Sequence, residues 1–377
     1  MTDLNNENEY EKSTRTATIP VIDMESSSAG SELIDAFKTV GFATLTNHGV
    51  SSQLIDDAFY QSKQFFDLSE TDKLKYKYQG AASNRGYIPF QAETHTGTLD
   101  NPDRKETFDI GKERDDEDGY TNQWPAITTT STKTTTTTEN STNKRDFQST
   151  MIEYFENFDK LFLRLMKMVA VQLDMDDPEF LVDRCNQQHE NLRLLHYPSI
   201  PVEKSSSLDQ EKQQQQNKKE TTKIIQRGNV HTDFGVLTLL CQDSVGGLRA
   251  QLLSGRWINV PPVPNSIVVN VGDMLQRWSN DMFRATPHQV VSELSMPVST
   301  PSSSNTQEGD ESNDSKSTIT VPERYSIAFF CNANKNVVLE CLRECCCDDS
   351  DDNSAPRYEP INAHDYLSQR LNDTISA

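Results

Sequence analysis

The chain has 377 residues, enough for one large or two ordinary domains, and it carries a formal net charge of −21. This acidic balance argues against a partner bound through nucleic-acid phosphates. The seven cysteines are odd in number and irregularly spaced, which argues against a disulfide framework. No apolar run approaches the length of a membrane span. The polar N-terminus lacks the apolar core of a signal peptide, so we expect a cytoplasmic protein without a membrane anchor.

The first part of the chain alternates short apolar strands with amphipathic helices. Strands are predicted at residues 19–24 and 41–45. Each is followed by a helix, over 31–40 and 51–67, in which apolar side chains recur at three- and four-residue spacing. Ser31 is the expected N-cap of the first of these helices. The pattern predicts a small α/β region at the start of the fold.

A long amphipathic helix and then a series of short strands follow. Residues 151–173 carry Phe, Leu and Met at helical spacing, so this helix is expected to brace one face of a sheet. Strands are predicted, between turn signals, at residues 192–197, 231–241, 248–252, 257–260, 266–271, 285–291 and 325–332. This order predicts a mainly β fold with flanking helices: a double-stranded β-helix (jelly-roll) core joined to an α/β N-terminal region.

Four low-complexity tracts cannot bury enough apolar surface to offset chain entropy, and we expect them to be disordered. Neutral expansion of surface loops explains them most simply, and a regulatory or partner-binding role is the alternative. The predicted organisation is a disordered tail (1–18), an N-terminal region (19–127), a Thr-rich insert (128–145), bracing helices (146–188), a jelly-roll domain (189–340) with inserts at 202–226 and 295–320, and a Cys/acidic loop followed by a C-terminal helix (341–377).

Three residues in the second half of the chain have the pattern of a metal site. His231 and Asp233 are two apart in an apolar segment, and strand side chains two apart share a face. His288 arrives on a different predicted strand. Two His and one carboxylate on one side of an ion form the facial triad of non-haem Fe(II) oxygenases. The alternative is that His231 caps a strand and Asp233 occupies a turn, which an isolated His-x-Asp would favour.

A second pair of residues weighs against that alternative. Arg324 and Ser326 lie in the apolar run RYSIAFF, so both side chains are expected on one face of a strand. A guanidinium pairs bidentately with a carboxylate, and a neighbouring hydroxyl adds one more donor. A dicarboxylic co-substrate could therefore bind a metal through one end and Arg324 with Ser326 through the other.

The order His-x-Asp, distal His, Arg-x-Ser resembles the Fe(II)/2-oxoglutarate-dependent dioxygenases, in the branch that includes isopenicillin N synthase. The N-terminal segments GFATLTNHGV and FFDLSETDKLKY are similar to the same family. The resemblance implies that the triad binds Fe(II), with 2-oxoglutarate and O2 as co-substrates and the far carboxylate on Arg324 and Ser326. It also implies a co-substrate contact from Tyr197. The implied reaction oxidises a C–H bond of a small molecule, by hydroxylation, desaturation or ring closure, and releases succinate and CO2.

The sequence leaves other interpretations open. Leu195 stands where plant members usually carry Asn, and Gln289 follows the distal His where relatives often have Arg. An isopenicillin N synthase-like oxidase that does not use 2-oxoglutarate is one alternative, and a non-catalytic jelly-roll binding module is another. Neither the substrate nor the oligomeric state follows from the sequence.

A few further candidates have simple explanations. Tyr87 and Phe108 lie in segments that border the site in relatives, but aromatic packing explains them equally well. His48 belongs to an NHG turn, where we expect packing and not metal binding. The cysteines around Cys345 lack the paired spacing of a zinc site, so a redox-labile or accidental cluster is expected.

Overall fold

A computed structural model describes residues 18–93, 101–113, 120–127, 146–203, 221–296, 318–346 and 355–374. The predicted tail up to residue 17 and the Thr-rich insert at 128–145 lie outside the described residues. So do 204–220, 297–317 and 347–354 of the other predicted inserts. Within the described segments, no helix is both long and apolar enough to cross a membrane.

Sixteen strands form the framework of the described chain. They are β1 (Val21–Asp23), β2 (Phe42–Thr46), β3 (Gly86–Ile88), β4 (Glu106–Gly111), β5 (Asn191–Tyr197), β6 (Ile200–Glu203), β7 (Thr221–His231), β8 (Leu237–Gln242), β9 (Leu248–Gln251), β10 (Trp257–Asn259), β11 (Ile267–Val271), β12 (His288–Met296), β13 (Thr318–Val321), β14 (Arg324–Cys331), β15 (Val338–Leu339) and β16 (Ile361–Asn362). An eight-stranded sheet has the order β1-β2-β11-β8-β14-β5-β4-β3, and a four-stranded sheet has the order β10-β9-β12-β7. The predicted mainly β fold with a jelly-roll core is confirmed.

Helices flank these sheets. They are α1 (Ala29–Thr39), α2 (Ser52–Phe66), α3 (Glu70–Lys73), α4 (Phe147–Gln172), α5 (Phe180–Asp183), α6 (Asp273–Trp278) and α7 (Ala363–Thr374), with 3-10 turns at Leu74–Tyr76 and Arg343–Cys345. Asp146 is the N-cap of the long helix α4, and its side chain accepts a hydrogen bond from the Ser149 amide. It packs Phe155 edge-on against Phe329 of the eight-stranded sheet, with ring centroids 5.0 Å apart. The predicted bracing helix is therefore confirmed.

The flanks of two predicted disordered inserts are ordered strands, so those boundaries were wrong. Residues 221–226 of the first insert pair along the β7–β12 ladder with residues 291–296, of which 295 and 296 belong to the second insert. Strand β6 pairs with β13 across the other ends of the same inserts. Val202, Ile225 and Val321 are buried together in a small apolar cluster there. These segments are polar in composition, which predicted disorder, but cross-strand hydrogen bonds and the apolar cluster hold them in place.

The single strand predicted over residues 231–241 is broken, which is a second correction. His231 ends β7, and β8 begins only at Leu237. Between them, the carbonyls of Asp233 and Gly235 accept hydrogen bonds from the start of α6 and not from a neighbouring strand. A Cβ at Gly235 would lie 2.4 Å from the Cys331 carbonyl oxygen, so only glycine allows this close approach.

Smaller differences concern element ends. Ser31 lies inside the first turn of α1, and Ser28 occupies the N-cap position without a side-chain cap bond. The strand predicted at 285–291 begins at His288, directly after Pro287, which has no N–H to donate to a ladder. The structure joins Cys341 to Cys346 in a disulfide, which the sequence analysis did not predict.

Tyr87 and Phe108 pack in the core and do not line the cavity described below. Both side chains are at most 1% exposed. Their rings lie 5.8 and 4.5 Å from the ring of Phe65 on α2, which is itself fully buried. Of the two explanations for these aromatic residues, packing is therefore the one that holds.

The substitution Phe65→Ala is expected to lower the free energy of unfolding by about 3–5 kcal/mol, because it leaves a cavity among several aromatic rings. Leu253→Ala removes a side chain that is 65% exposed and should change the same quantity by less than about 0.5 kcal/mol. Urea unfolding followed by circular dichroism measures both. Equal effects of the two variants would contradict the packing described here.

Candidate metal centre

A cavity of about 130 Å³ lies between the two large sheets. The four-stranded sheet lines it with residues of β7, β9 and β12, and the eight-stranded sheet lines it with residues of β5, β8 and β14. On β14 the lining residues are Arg324, Ser326, Ala328 and Phe330, spaced by two as alternation along a strand requires. Helix α7 closes another side with two leucines. Side chains from distant parts of the chain therefore converge on one enclosed space.

His231, Asp233 and His288 bring one ligand atom each into a single cluster in this cavity. The three atoms all lie within 4.8 Å of one another. The Nε2 atoms of His231 and His288 are 3.8 and 3.6 Å from Asp233 Oδ1. The two histidines are direct partners across the β7–β12 ladder. In the part of the chain that the structure describes, no other group of three potential ligands of this kind comes together.

Backbone hydrogen bonds decide which nitrogen of each imidazole faces the cluster. His231 Nδ1 is 2.8 Å from the Asn229 carbonyl oxygen, and His288 Nδ1 is 3.1 Å from the Thr286 carbonyl oxygen. A carbonyl oxygen only accepts, so each Nδ1 donates its hydrogen and each Nε2 faces the cluster. In the neutral form of each imidazole, that Nε2 carries the lone pair that a metal ion needs.

Two neighbouring strands orient the carboxylate of Asp233. Thr238 of β8 and Asn270 of β11 donate hydrogen bonds to Oδ2, at 2.6 and 2.7 Å, which leaves Oδ1 for the cluster. Burial opposes ionisation, but His288, His231 and these two hydrogen bonds hold the pKa of Asp233 below its ordinary value. The ionised form, which a cation requires, is favoured.

Arg324, Ser326 and Tyr197 also meet in the cavity. Arg324 Nη1 lies 3.0 Å from Ser326 Oγ, and its Nε donates to the Gly246 carbonyl at 2.7 Å. The guanidinium carbon lies 5.0 Å from the centroid of the Tyr197 ring. Arg324 is only 3% exposed, and no acidic side chain among the described residues forms an ion pair with it. A buried cation in this state is suited to bind a carboxylate.

Sequence reasoning missed several polar residues at this cavity. Arg227 of β7 does not line the cavity itself but is buried beside it, with its guanidinium carbon 5.8 Å from the centroid of the Tyr197 ring. Burial is the main cause that lowers the pKa of Arg227 to about 10. Nothing in the sequence distinguishes it from other basic residues beside a low-complexity tract. Asn270 did give a signal, since it is the one polar residue of an otherwise apolar strand, whereas Arg193 shares its strand with Asn191 and His196.

Three further residues noted in the sequence, His48, Leu195 and Gln289, are not ligands of the cluster. His48 is not in the cluster, and its Nδ1 accepts a hydrogen bond from the Val50 amide at 3.2 Å. Leu195 lines the cavity opposite Ser326. The side chain of Gln289 accepts a hydrogen bond from Gln226. The turn role expected for His48 is thus confirmed.

Two imidazoles and one carboxylate with open positions, in a jelly roll beside a buried arginine, are the features of a non-haem metal-dependent oxygenase. The chain belongs to the 2OG-Fe(II) oxygenase superfamily: the model of that description matches residues 212–333, and a named 2-oxoglutarate-dependent dioxygenase is 31% identical over 92% of the chain. A second model, described as the N-terminal region of a non-haem dioxygenase in morphine synthesis, matches residues 19–127. The protein is an oxidoreductase that uses Fe(II), 2-oxoglutarate and O2 and acts on small molecules.

Named relatives agree with this assignment. The chain is 31% identical over 371 residues to the 2-oxoglutarate-dependent dioxygenase ecdK of Aspergillus rugulosus, covering 92% of this chain and 94% of ecdK. It is 29% identical to the 2-oxoglutarate-Fe(II) type oxidoreductase ppzD of Metarhizium majus, covering 90% and 88% of the two chains. The crystal structure of a full-length Neurospora crassa protein in complex with alpha-KG and thymine matches with a TM-score of 0.68, at 30% identity and 94% and 96% coverage.

Proposed function

We propose that the enzyme oxidises a C–H bond of a small molecule in the cavity, with Fe(II) held by His231, Asp233 and His288. The convergence of their three ligand atoms within 4.8 Å of one another carries the proposal. When bound, the metal and 2-oxoglutarate supply the oxidative chemistry, with succinate and CO2 as products. The protein's own part is to present two neutral imidazoles and a carboxylate on one side and to leave the other side open.

The second part of the proposal concerns the co-substrate. The far carboxylate of 2-oxoglutarate accepts hydrogen bonds from Arg324 and Ser326. The bond from Arg324 Nε to the Gly246 carbonyl fixes the plane of the guanidinium, and the Tyr197 ring packs against it. The mostly apolar residues of β8, β9 and β12 around this end exclude water, which strengthens the charge-assisted bonds.

Partner and location are also part of the proposal. The net charge of −21 supports a free small molecule as substrate over a nucleic acid. The odd number and irregular spacing of the seven cysteines support a reducing compartment such as the cytoplasm, although the structure joins one pair, Cys341 and Cys346. Fluorescence microscopy of the tagged full-length chain tests the location.

Product analysis tests the proposed function. The full-length chain is incubated with Fe(II), O2 and 2-oxoglutarate, and succinate is quantified. Slow, Fe(II)-dependent succinate formation is expected without added substrate, and it should fall to background in His288→Ala. His364→Ala changes an exposed histidine of α7 and should leave the rate unchanged. Succinate formation at the wild-type rate in His288→Ala would overturn the ligand assignment.

Loss of one hydrogen bond to Asp233 should weaken metal binding. Thr238→Val keeps the side-chain shape but removes the 2.6 Å bond to Oδ2, and we expect about 10- to 100-fold lower Fe(II) affinity. Thr44→Val is the matched control, since Thr44 is equally buried on β2 but lies outside the cavity. Competition with a coloured chelator under argon measures both affinities. Equal affinities would show that Thr238 does not orient the carboxylate.

A further inference from the structure

The cavity has a second polar end, distinct from the one that holds Arg324. On the paired strands β14 and β5, Arg324 lies opposite Tyr197 at one end, and Phe330 lies opposite Asn191 at the other. The two ends are about 20 Å apart, at roughly 3.3 Å per strand residue. Thr238, which holds Asp233, pairs with Phe330. The Asn191 end is therefore the one beside the metal cluster.

Buried ion pairs line one wall of the cavity, from Arg193 near this second end toward Lys105, whose neighbour Glu106 pairs with His196 nearer the Arg324 end. Arg193 binds Asp109 through Nε at 2.7 Å and Glu93 through Nη1 at 2.8 Å. Lys105 binds Glu93 at 3.0 Å and Asp103 at 2.6 Å. None of these five residues is more than 8% exposed. Among them, Glu93, Lys105 and Arg193 line the cavity itself.

The charge of this network is not positive. Two cations, Lys105 and Arg193, face three carboxylates, so the five groups sum to −1 when all are ionised. Burial raises the pKa of Asp109 while Arg193 opposes the rise. With a proton on Asp109 the sum is still only zero. Within this network, a carboxylate or phosphate group of a substrate would thus find no excess cation.

Asn191 and Arg193 nevertheless keep hydrogen-bonding capacity for a ligand. Asn191 Nδ2 donates to Asp109 Oδ1 at 2.6 Å, and because this oxygen also accepts a hydrogen bond from Arg193 Nε, it acts as an acceptor and fixes the orientation of the amide. Its Oδ1 is buried without a hydrogen-bond partner among the described residues. Arg193 donates three hydrogen bonds, to Asp109 and Glu93, out of its five N–H groups. An acceptor and a donor thus lie two residues apart on the inward face of β5.

We propose that the substrate is an uncharged molecule with an amide-type group, a carbonyl beside an N–H, as in a lactam or a cyclic imide. This inference rests on the proposed function. The N–H donates to Asn191 Oδ1, and the carbonyl accepts from Arg193. Phe330, whose ring centroid lies 5.8 Å from the Arg193 guanidinium carbon, and Phe234 supply apolar surface for a small ring. Asn191 and Arg193 are specificity-determining residues of this oxygenase.

Ligand-observed saturation-transfer NMR on the metal-free full-length chain tests the proposal without turnover. The probes are glutarimide, 2-piperidone and cyclohexanecarboxylate. Glutarimide should bind at least about tenfold more tightly than cyclohexanecarboxylate. Added 2-oxoglutarate should not displace glutarimide, because 2-oxoglutarate binds at the Arg324 end of the cavity. Equal or tighter binding of the carboxylate, displacement of glutarimide by 2-oxoglutarate, or no binding of either amide probe would overturn the proposal.

Two variants locate the probe. Asn191→Leu removes the buried acceptor and should weaken glutarimide binding about tenfold, whereas Asn157→Leu, outside the cavity on α4, should not. Glu93→Gln keeps the shape of the side chain and removes one negative charge. This variant should change the ratio of the affinity for glutarimide to the affinity for cyclohexanecarboxylate at least about fivefold, in favour of cyclohexanecarboxylate. If Asn191→Leu does not fold, an unchanged ratio in Glu93→Gln is sufficient to overturn the proposal.

The two proposals fail in different ways. If the metal assignment is wrong, His288→Ala keeps succinate formation while glutarimide binding and its dependence on Asn191 persist. If the substrate inference is wrong, succinate formation depends on His288 as expected while the cavity prefers the carboxylate probe.

Discussion

The substitution Asp233→Ala is expected to lower Fe(II) affinity by more than about 100-fold and to reduce turnover to background. It removes the one anionic ligand of the cluster, and loss of residues that merely orient a ligand already costs about 10- to 100-fold. It also leaves the donors of Thr238 and Asn270 without their acceptor. Chelator competition under argon measures the affinity, and succinate formation measures turnover.

Asp176→Ala serves as the control for this experiment, because Asp176 is exposed and does not line the cavity. Thermal melting of both variants separates loss of metal binding from loss of structure. Wild-type Fe(II) affinity in a folded Asp233→Ala protein would contradict the assignment of this carboxylate.

The second large effect is expected at Arg324. Arg324→Ala should raise the KM for 2-oxoglutarate by about 30-fold or more, since truncating one partner of a buried charge pair costs about 2–5 kcal/mol. Arg324→Lys keeps the charge but loses the fork geometry, so its KM should lie between those of the wild type and the alanine variant. Initial rates of succinate formation at varied 2-oxoglutarate give both values.

Arg256→Ala is the control for Arg324, because Arg256 lies exposed near the turn between β9 and β10. Its KM for 2-oxoglutarate should equal that of the wild type. An Arg324→Ala enzyme with an unchanged KM would show that the far carboxylate binds elsewhere, and Arg227, the other cation on the Tyr197 ring, would then be the next residue to replace.

The sequence predicted the candidate site well where the information was local. His231 with Asp233, and Arg324 with Ser326, are pairs two residues apart, and alternation along an extended chain puts such pairs on one face. His231 and Asp233 are neighbours in the structure even though β7 ends at His231 and Asp233 follows in a loop. His288 was found because a third ligand had to come from another strand.

The remaining features depend on contacts between distant segments, which spacing does not encode. Thr238 and Asn270 orient Asp233 because β8 and β11 are neighbours in the large sheet. The same holds for Arg193, whose partner Glu93 lies about a hundred residues earlier in the chain. Strand β7 was missed since its polar residues resemble a low-complexity tract, and its pairing with β12 supplies the order that composition does not.

The central claim is that one cavity holds both Fe(II) and 2-oxoglutarate, through the three ligands and through Arg324. The most direct test is the visible absorption spectrum of the metal-stripped protein after addition of Fe(II) and 2-oxoglutarate without oxygen. A weak charge-transfer band of the chelated complex is expected; it should be absent in His231→Ala and should need more 2-oxoglutarate in Arg324→Ala. A band of wild-type intensity in His231→Ala, or no iron binding by the intact protein, would contradict the account.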